Sequence, residues 1–334
     1  MLGRMKIGGK LAAGFAAVLV IFALSGWFAW NNMNRVGAGM QTIENGYVPG
    51  IEQAGGIERL ARSLMLNVRA YVMGAGYQDL QNSLKGFEEL KEALEKAAGH
   101  AEVYPGLERL AEGVKRAEEQ TEIYRRLLDE SQGIIAAMAG QRRRAAEAGL
   151  SLRNIVYDLL YDEKDALEKA LKKSDSAEDV RTRLDSMDTL FLLAETVQKA
   201  EYLSLTAMGE KKMEAVAEAK KELEDAGEHL DELAGTAGDE KMLRNIRRAV
   251  NDAGEYEKAL DDFKKAWEEL DRVGEERSSA GEAVIAAAEA VMKHSLERTI
   301  EIAGAVTEEA GDVSRMLLIS VAAAVLVGMA VAAV

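Results

Sequence analysis

A long uncharged run lies near each end of this chain, with dense charge between them, and no other feature narrows the possible folds as far. Leu11 to Asn34 holds no charged residue, and LAAGFAAVLVIFALSGWFAW within it is almost wholly apolar. About twenty such residues rise about 30 Å as a helix, the thickness of a bilayer's hydrocarbon core. Arg4, Lys6 and Lys10 precede the run, and Trp27 and Trp30 lie at its far end. Basic residues stay on the cytoplasmic side and Trp settles at the headgroup boundary, so residues 1–10 are expected inside and 11–30 across the membrane. A cleaved signal peptide would have a shorter apolar region followed by a small-x-small site. Here the bulky GWFAW follows, which favours a retained span. Residues 316–334, MLLISVAAAVLVGMAVAAV, form a second span of near-minimal length. Residues 31–315 are then expected together outside, in the periplasm or beyond the cell. No basic residue follows the second run, so the chain is expected to continue into the cytoplasm in the full protein.

The middle is rich in Ala, Glu, Leu and Lys, with only Pro49 and Pro105 as prolines and no cysteine. That composition favours long helices and excludes a disulfide framework, a thiolate zinc site and a cysteine nucleophile. The formal net charge of −15 argues against a nucleic-acid binder, and a hydrophobic fraction of 48% against a disordered chain. No HExxH, GxSxG, phosphate loop or calcium loop is present, so neither an enzyme nor a cofactor is expected. His100, His229 and His294 are isolated and read as surface or bundle residues, His294 lying closest to an apolar seam.

Apolar residues three and four apart run through Leu107, Leu110, Val114, Ala117, Thr121, Tyr124 and Leu128, and again through Met242, Ile246, Ala249, Ala253, Tyr256, Leu260 and Phe263. Such seams predict two long bundle helices, about 105–172 and 238–314. Asn45-Gly46 and Val48-Pro49-Gly50 predict a kink. Gly74-Ala75-Gly76 ends one piece and a helix of about 77–99 follows. Ser174-Asp175-Ser176 predicts a turn that caps a helix near Ala177. Weaker breaks fall at Met208-Gly209 and from Gly235 to Gly238.

The two halves superpose at an offset of about 132 residues, which pairs Tyr124 with Tyr256, Gly149 with Gly281 and the break at Gly76 with that at Met208. With 31–100 and 176–235 taken as climbing paths broken part-way, the expected fold is all-α: two stacked four-helix bundles sharing two long helices. The membrane-proximal module would hold 31–75, 140–208 and 274–315, and the distal module 77–139 and 210–273.

The N-terminal MKIGGKLAAGFAAVLVIF span, the helical outer region with a break in each climbing path, and the second span resemble the helical bimodular sensory domain of methyl-accepting chemotaxis proteins and some sensor histidine kinases. RLARSLMLNVRAYVMGAG (59–76) and VQKAEYLSLTAMGEKKMEAV (197–216) are similar to the family's patterns at its two mid-height breaks. The resemblance implies a homodimeric receptor that binds small organic acids between helices: a dicarboxylate in the membrane-proximal module, a smaller acid in the distal one. It also implies cytoplasmic signalling partners reached only through a region absent from this sequence. A non-sensing anchored scaffold is the remaining alternative.

Basic residues at core-facing positions of an acidic domain are the natural ligands for a carboxylate, because guanidinium forms paired hydrogen bonds with it. Arg142 continues one long seam after Met138, Arg277 the other after Leu270, and Glu201 lies on the seam through Leu190, Ala194 and Val197. Arg62 and Arg69 are seven apart on one helix face, with Arg59 three residues before Arg62 and with Tyr71 and Tyr202 near the same level. The spacing of Arg59 and Arg62 matches the arginine pair of the resembled family. These eight residues are the expected carboxylate site, with a structural ion-pair network as the alternative.

Overall fold

The computed structural model describes residues 7–104, 106–173, 176–210 and 212–332. Arg4, Lys6, Pro105 and the Ser174-Asp175 pair therefore lie outside the described residues. Among those described there are seven α-helices and no strand: α1 (Ile7–Thr42), α2 (Val48–Gly74), α3 (Tyr77–Val103), α4 (Glu108–Lys173), α5 (Ala177–Glu210), α6 (Glu214–Thr236) and α7 (Glu240–Ala332). A π-helical turn, Ile43–Tyr47, joins α1 to α2 where Asn45-Gly46 predicts a kink. It widens the backbone by one residue, and Pro49 follows in the first turn of α2, where a missing N–H costs nothing.

The two long helices form as their seams predict. α4 runs for 66 residues and α7 for 93 without interruption, the latter passing through Met316 into the terminal apolar run. Their seam residues are buried, among them Leu110, Leu128, Leu260 and Phe263. The Ser176 hydroxyl accepts the Asp179 N–H at 3.1 Å and caps α5 near the expected residue. Asp239 Oδ1 accepts the Met242 N–H at 2.8 Å and does the same for α7.

The chain divides into two compact units, 1–125 with 278–334, and 126–277. The first contains α1, α2, α3, the start of α4 and the latter part of α7. The second contains the rest of α4, α5, α6 and the first part of α7. α4 and α7 thus each give one segment to each unit, the sharing the sequence predicts.

The grouping of the other segments differs from the expected modules. Residues 77–125 join 48–74 in one unit, and 140–173 join 177–236 in the other. The cause is local. Ala75 adopts the left-handed conformation (φ 52°) and its N–H bonds to Tyr71 O at 2.5 Å, closing α2 with a sharp reversal. α3 then runs back along α2: Leu64 packs against Gly86, and the His100 ring nitrogen lies 2.9 Å from Gly46 O. A second reversal brings α4 up parallel to α2, with Leu110 beside Gly50 and Tyr124 in the same cluster as Met65. The break between α5 and α6 is also a reversal, since Lys199 pairs with Glu222 across it at 2.5 Å. Neither break interrupts a climbing path; each is the tip of a hairpin.

The repeat explains the two units. In the first, Tyr124 of α4 packs against Gly281 of α7, where an added Cβ would lie 3.0 Å from the ring. In the second, Tyr256 of α7 packs against Gly149 of α4, where that distance would be 2.9 Å. The same Tyr–Gly joint recurs with the two long helices exchanged, as expected if α2-α3-α4 and α5-α6-α7 are copies that each complete the other's bundle.

Candidate functional site

The eight predicted residues fall four to a unit. In the first unit, α2 is set by its buried face Ala54, Ile57, Ala61, Leu64, Val68 and Tyr71. The helical period then sends Arg59, Arg62 and Arg69 outward, and all three are exposed. Arg62 bridges Glu58 on its own helix at 2.8 Å and Glu289 of α7 at 2.9 Å, and the hydrogen bond to Glu58 is the main cause of its raised pKa. Tyr71 is buried, which pushes its phenol up. The interior at this level is apolar: a void of about 10 Å³ among Leu64, Met65, Leu90, Tyr124 and Gly281, with room for at most one water.

In the second unit, Arg277 is the buried cation that its seam position predicts, 8% exposed and donating to the Ser131 hydroxyl at 2.7 Å. The Arg142 guanidinium donates to Met208 O and lies 5.9 Å from the centre of the Phe263 ring. That carbonyl is near the end of α5, where backbone acceptors lack intrahelical partners, so Arg142 caps α5. Glu201 accepts from Arg153 at 3.0 Å and sits beside Gly149 and Tyr256. Burial raises the Tyr256 phenol as well; a hydrogen bond with Ser204 opposes the shift and the Glu201 charge adds to it. Tyr202 points outward and is 68% exposed. Among the described residues, the hydrogen bonds and ion pairs of Arg62, Arg142 and Glu201 go to residues outside the predicted eight.

A different feature of the first unit was not anticipated. Between α4 and α7 lies a groove of about 150 Å³, edged by Arg109, Glu112, Arg116 and His294 and floored by Gly113, Ala287, Ala290 and Val291. The helices approach closely here, since a Cβ on Gly113 would come within 2.2 Å of Val291 Cγ2. The sequence signal was available: Arg109, Gly113 and Arg116 share one flank of the seam, two turns in all.

The apolar ends of α1 and α7 meet within the same unit. Their large side chains, such as Phe15, Phe22, Trp27, Leu318, Ile319 and Leu326, point outward. Both helices are long and apolar enough to cross a membrane. The Ser25 hydroxyl donates to Ser320 Oγ at 2.5 Å, and Ser320 in turn donates to Met316 O at 2.7 Å. Hydroxyl pairs of this kind join helices where no water competes.

Residues 4–180, just over half the chain, match the family described as the four helix bundle sensory module for signal transduction. The chain belongs to that family. The sensory module is also similar to a solved structure, the TorS sensor domain in complex with TorT in the presence of TMAO. The identity is 13% and the TM-score 0.38, over 79% of this chain and 99% of that one. No curated protein matches the sensory module significantly.

Proposed function

We propose that the chain is the sensor region of a transmembrane chemoreceptor that binds a small organic acid between its helices. Residues 31–315 lie outside the cell's inner membrane, and two copies pair as a homodimer. Ligand binding favours one of two helix arrangements, by no more than its differential affinity for them. The small displacement of α7 that results passes inward along the helix.

The observation that carries this reading is the continuity of α7. One unbroken helix from Glu240 to Ala332 lines both units and becomes the second apolar run, and a hydroxyl pair ties that run to α1. A flexible joint at residue 316 would absorb a displacement, and α7 has none. The acid ligand is supported by the arginines that the bundle displays on an otherwise acidic surface. The same sensor joined to a histidine kinase would share every one of these features and differ in its cytoplasmic output alone.

The native chain has no cysteine, so single substitutions report cleanly on topology. Cysteines at exposed Glu88 and Glu268 should react with a membrane-impermeant maleimide added to intact cells. Reaction only after lysis would overturn the proposed orientation.

A further inference from the structure

The two helices that carry the apolar runs leave the bundle differently. α7 passes into its run unbroken, whereas α1 meets α2 at the π-turn Ile43–Tyr47. There the Val48 N–H reaches back five residues to Ile43 O, and Pro49 just beyond has no N–H to give. In an uninterrupted α-helix the Pro49 ring would press on the carbonyl of Asn45, four residues earlier. The wider turn avoids that contact and breaks the regular ladder. Prolines and π-turns are where helices bend.

The tip of the α3–α4 hairpin is fastened to this joint. His100 Nε2 lies 2.9 Å from Gly46 O and donates to it, since a carbonyl only accepts. The Tyr104 ring, 4.9 Å from the His100 ring, lies over Gly46, where a Cβ would stand 3.8 Å from it. The Tyr47 hydroxyl, on a side chain of a residue only 4% exposed, donates to Gly106 O at 3.3 Å. Its oxygen also hydrogen-bonds Arg298 of α7, which is the main cause of that guanidinium's raised pKa. Toward the first apolar run, Gly39 of α1 packs on Ile302 and Val306 of α7, and Ser25 meets Ser320. The joint therefore lies between the α1–α7 pair and the hairpin tip and touches both.

We propose that the π-turn is a hinge and the α3–α4 tip is its latch. Seated, the tip holds α1 against α7. Displaced, it lets α1 turn about Ile43–Tyr47 and shift the first apolar run against the second. This goes beyond the reading above, in which α7 alone carries a displacement. The latch consists of two hydrogen bonds and one ring against a glycine, so it opens locally while the buried face of α2 stays packed. Any event that favours one seating of the hairpin biases α1 by the difference in those contacts and no more.

Two measurements on the full chain in phosphatidylcholine nanodiscs test this without any ligand. Amide hydrogen exchange reads the hinge, and the rate of disulfide formation in Ser25→Cys/Ser320→Cys protein reads α1. His100→Ala should speed exchange at residues 43–48 at least threefold, since one hydrogen bond shifts a population by about threefold to tenfold. Exchange at 57–68, the interior of α2, should stay as it is, which also shows that the variant folds. His100→Ala combined with Tyr47→Phe should change the disulfide rate at least twofold. His100→Gln keeps an N–H donor at similar reach and should restore native exchange. Leu230→Ala, which truncates a buried residue of the other unit, should leave the disulfide rate unchanged. Native exchange at 43–48 in the His100→Ala protein would overturn the latch. Faster exchange there with an unchanged disulfide rate in the double variant would overturn its hold on α1. An equal change from Leu230→Ala would overturn it as general loosening. None of these outcomes bears on acid binding, so the sensor reading stands or falls separately.

Discussion

Gly149 and Gly281 show how much a single missing side chain decides. Each lets a buried tyrosine ring lie against the backbone of the other long helix, and a larger residue at either position has nowhere to go. Gly149→Leu should therefore cost about 2 kcal/mol by overpacking, lowering Tm by about 4–8 °C. Gly254→Ala is the contrast: nothing lies within 4 Å of its Cβ position, and the gain in helix propensity should add about 1 kcal/mol. Thermal melts of the two variants check both signs. Tyr256 gives a pH prediction. Its phenol pKa is raised on folding, mainly by burial, so the folded chain holds the proton longer than the unfolded one. The stability this provides is whole below about pH 10 and falls as pH rises above it. Tyr256→Phe should flatten the decline in Tm above pH 10, read by melts between pH 8 and 11. Sequence reading reached part of the site at this scale. Arg277 is buried because its seam position demands it, whereas Arg62 and Arg69 share a face that the apolar period of α2 turns outward. Shared spacing shows which residues sit together on a helix, and only the neighbouring helix decides whether that face is covered.

Among the elements, α4 and α7 were legible because heptad spacing without breakers has one outcome, a long helix with one buried stripe. The hairpin tips were harder to read. A Gly-Ala-Gly break looks the same whether the chain continues upward or doubles back. What decides is the backbone at Ala75, which takes a left-handed φ of 52° at a residue that ordinarily avoids it. Ala75→Gly should remove that strain and stabilise the protein by about 1 kcal/mol, seen as a higher denaturation midpoint at unchanged slope. A continuous climbing helix would instead lose stability on the same change, since glycine costs about 1 kcal/mol inside a helix.

At the scale of the whole molecule, α4 and α7 each give one segment to each of the two units, and α7 continues into an apolar run beside α1. Binding energy gained between the helices can act on the membrane pair only if that pair is formed and is sensitive to α7. The Ser25–Ser320 contact gives a direct readout, because the native chain has no cysteine to confuse it. The decisive measurement is the rate of disulfide formation in Ser25→Cys/Ser320→Cys protein in membranes under mild oxidant, with and without saturating succinate. The account predicts ready cross-linking in the unliganded protein and a rate that changes at least twofold with succinate. Absence of the cross-link, or a rate that succinate leaves untouched while it is bound, would contradict it.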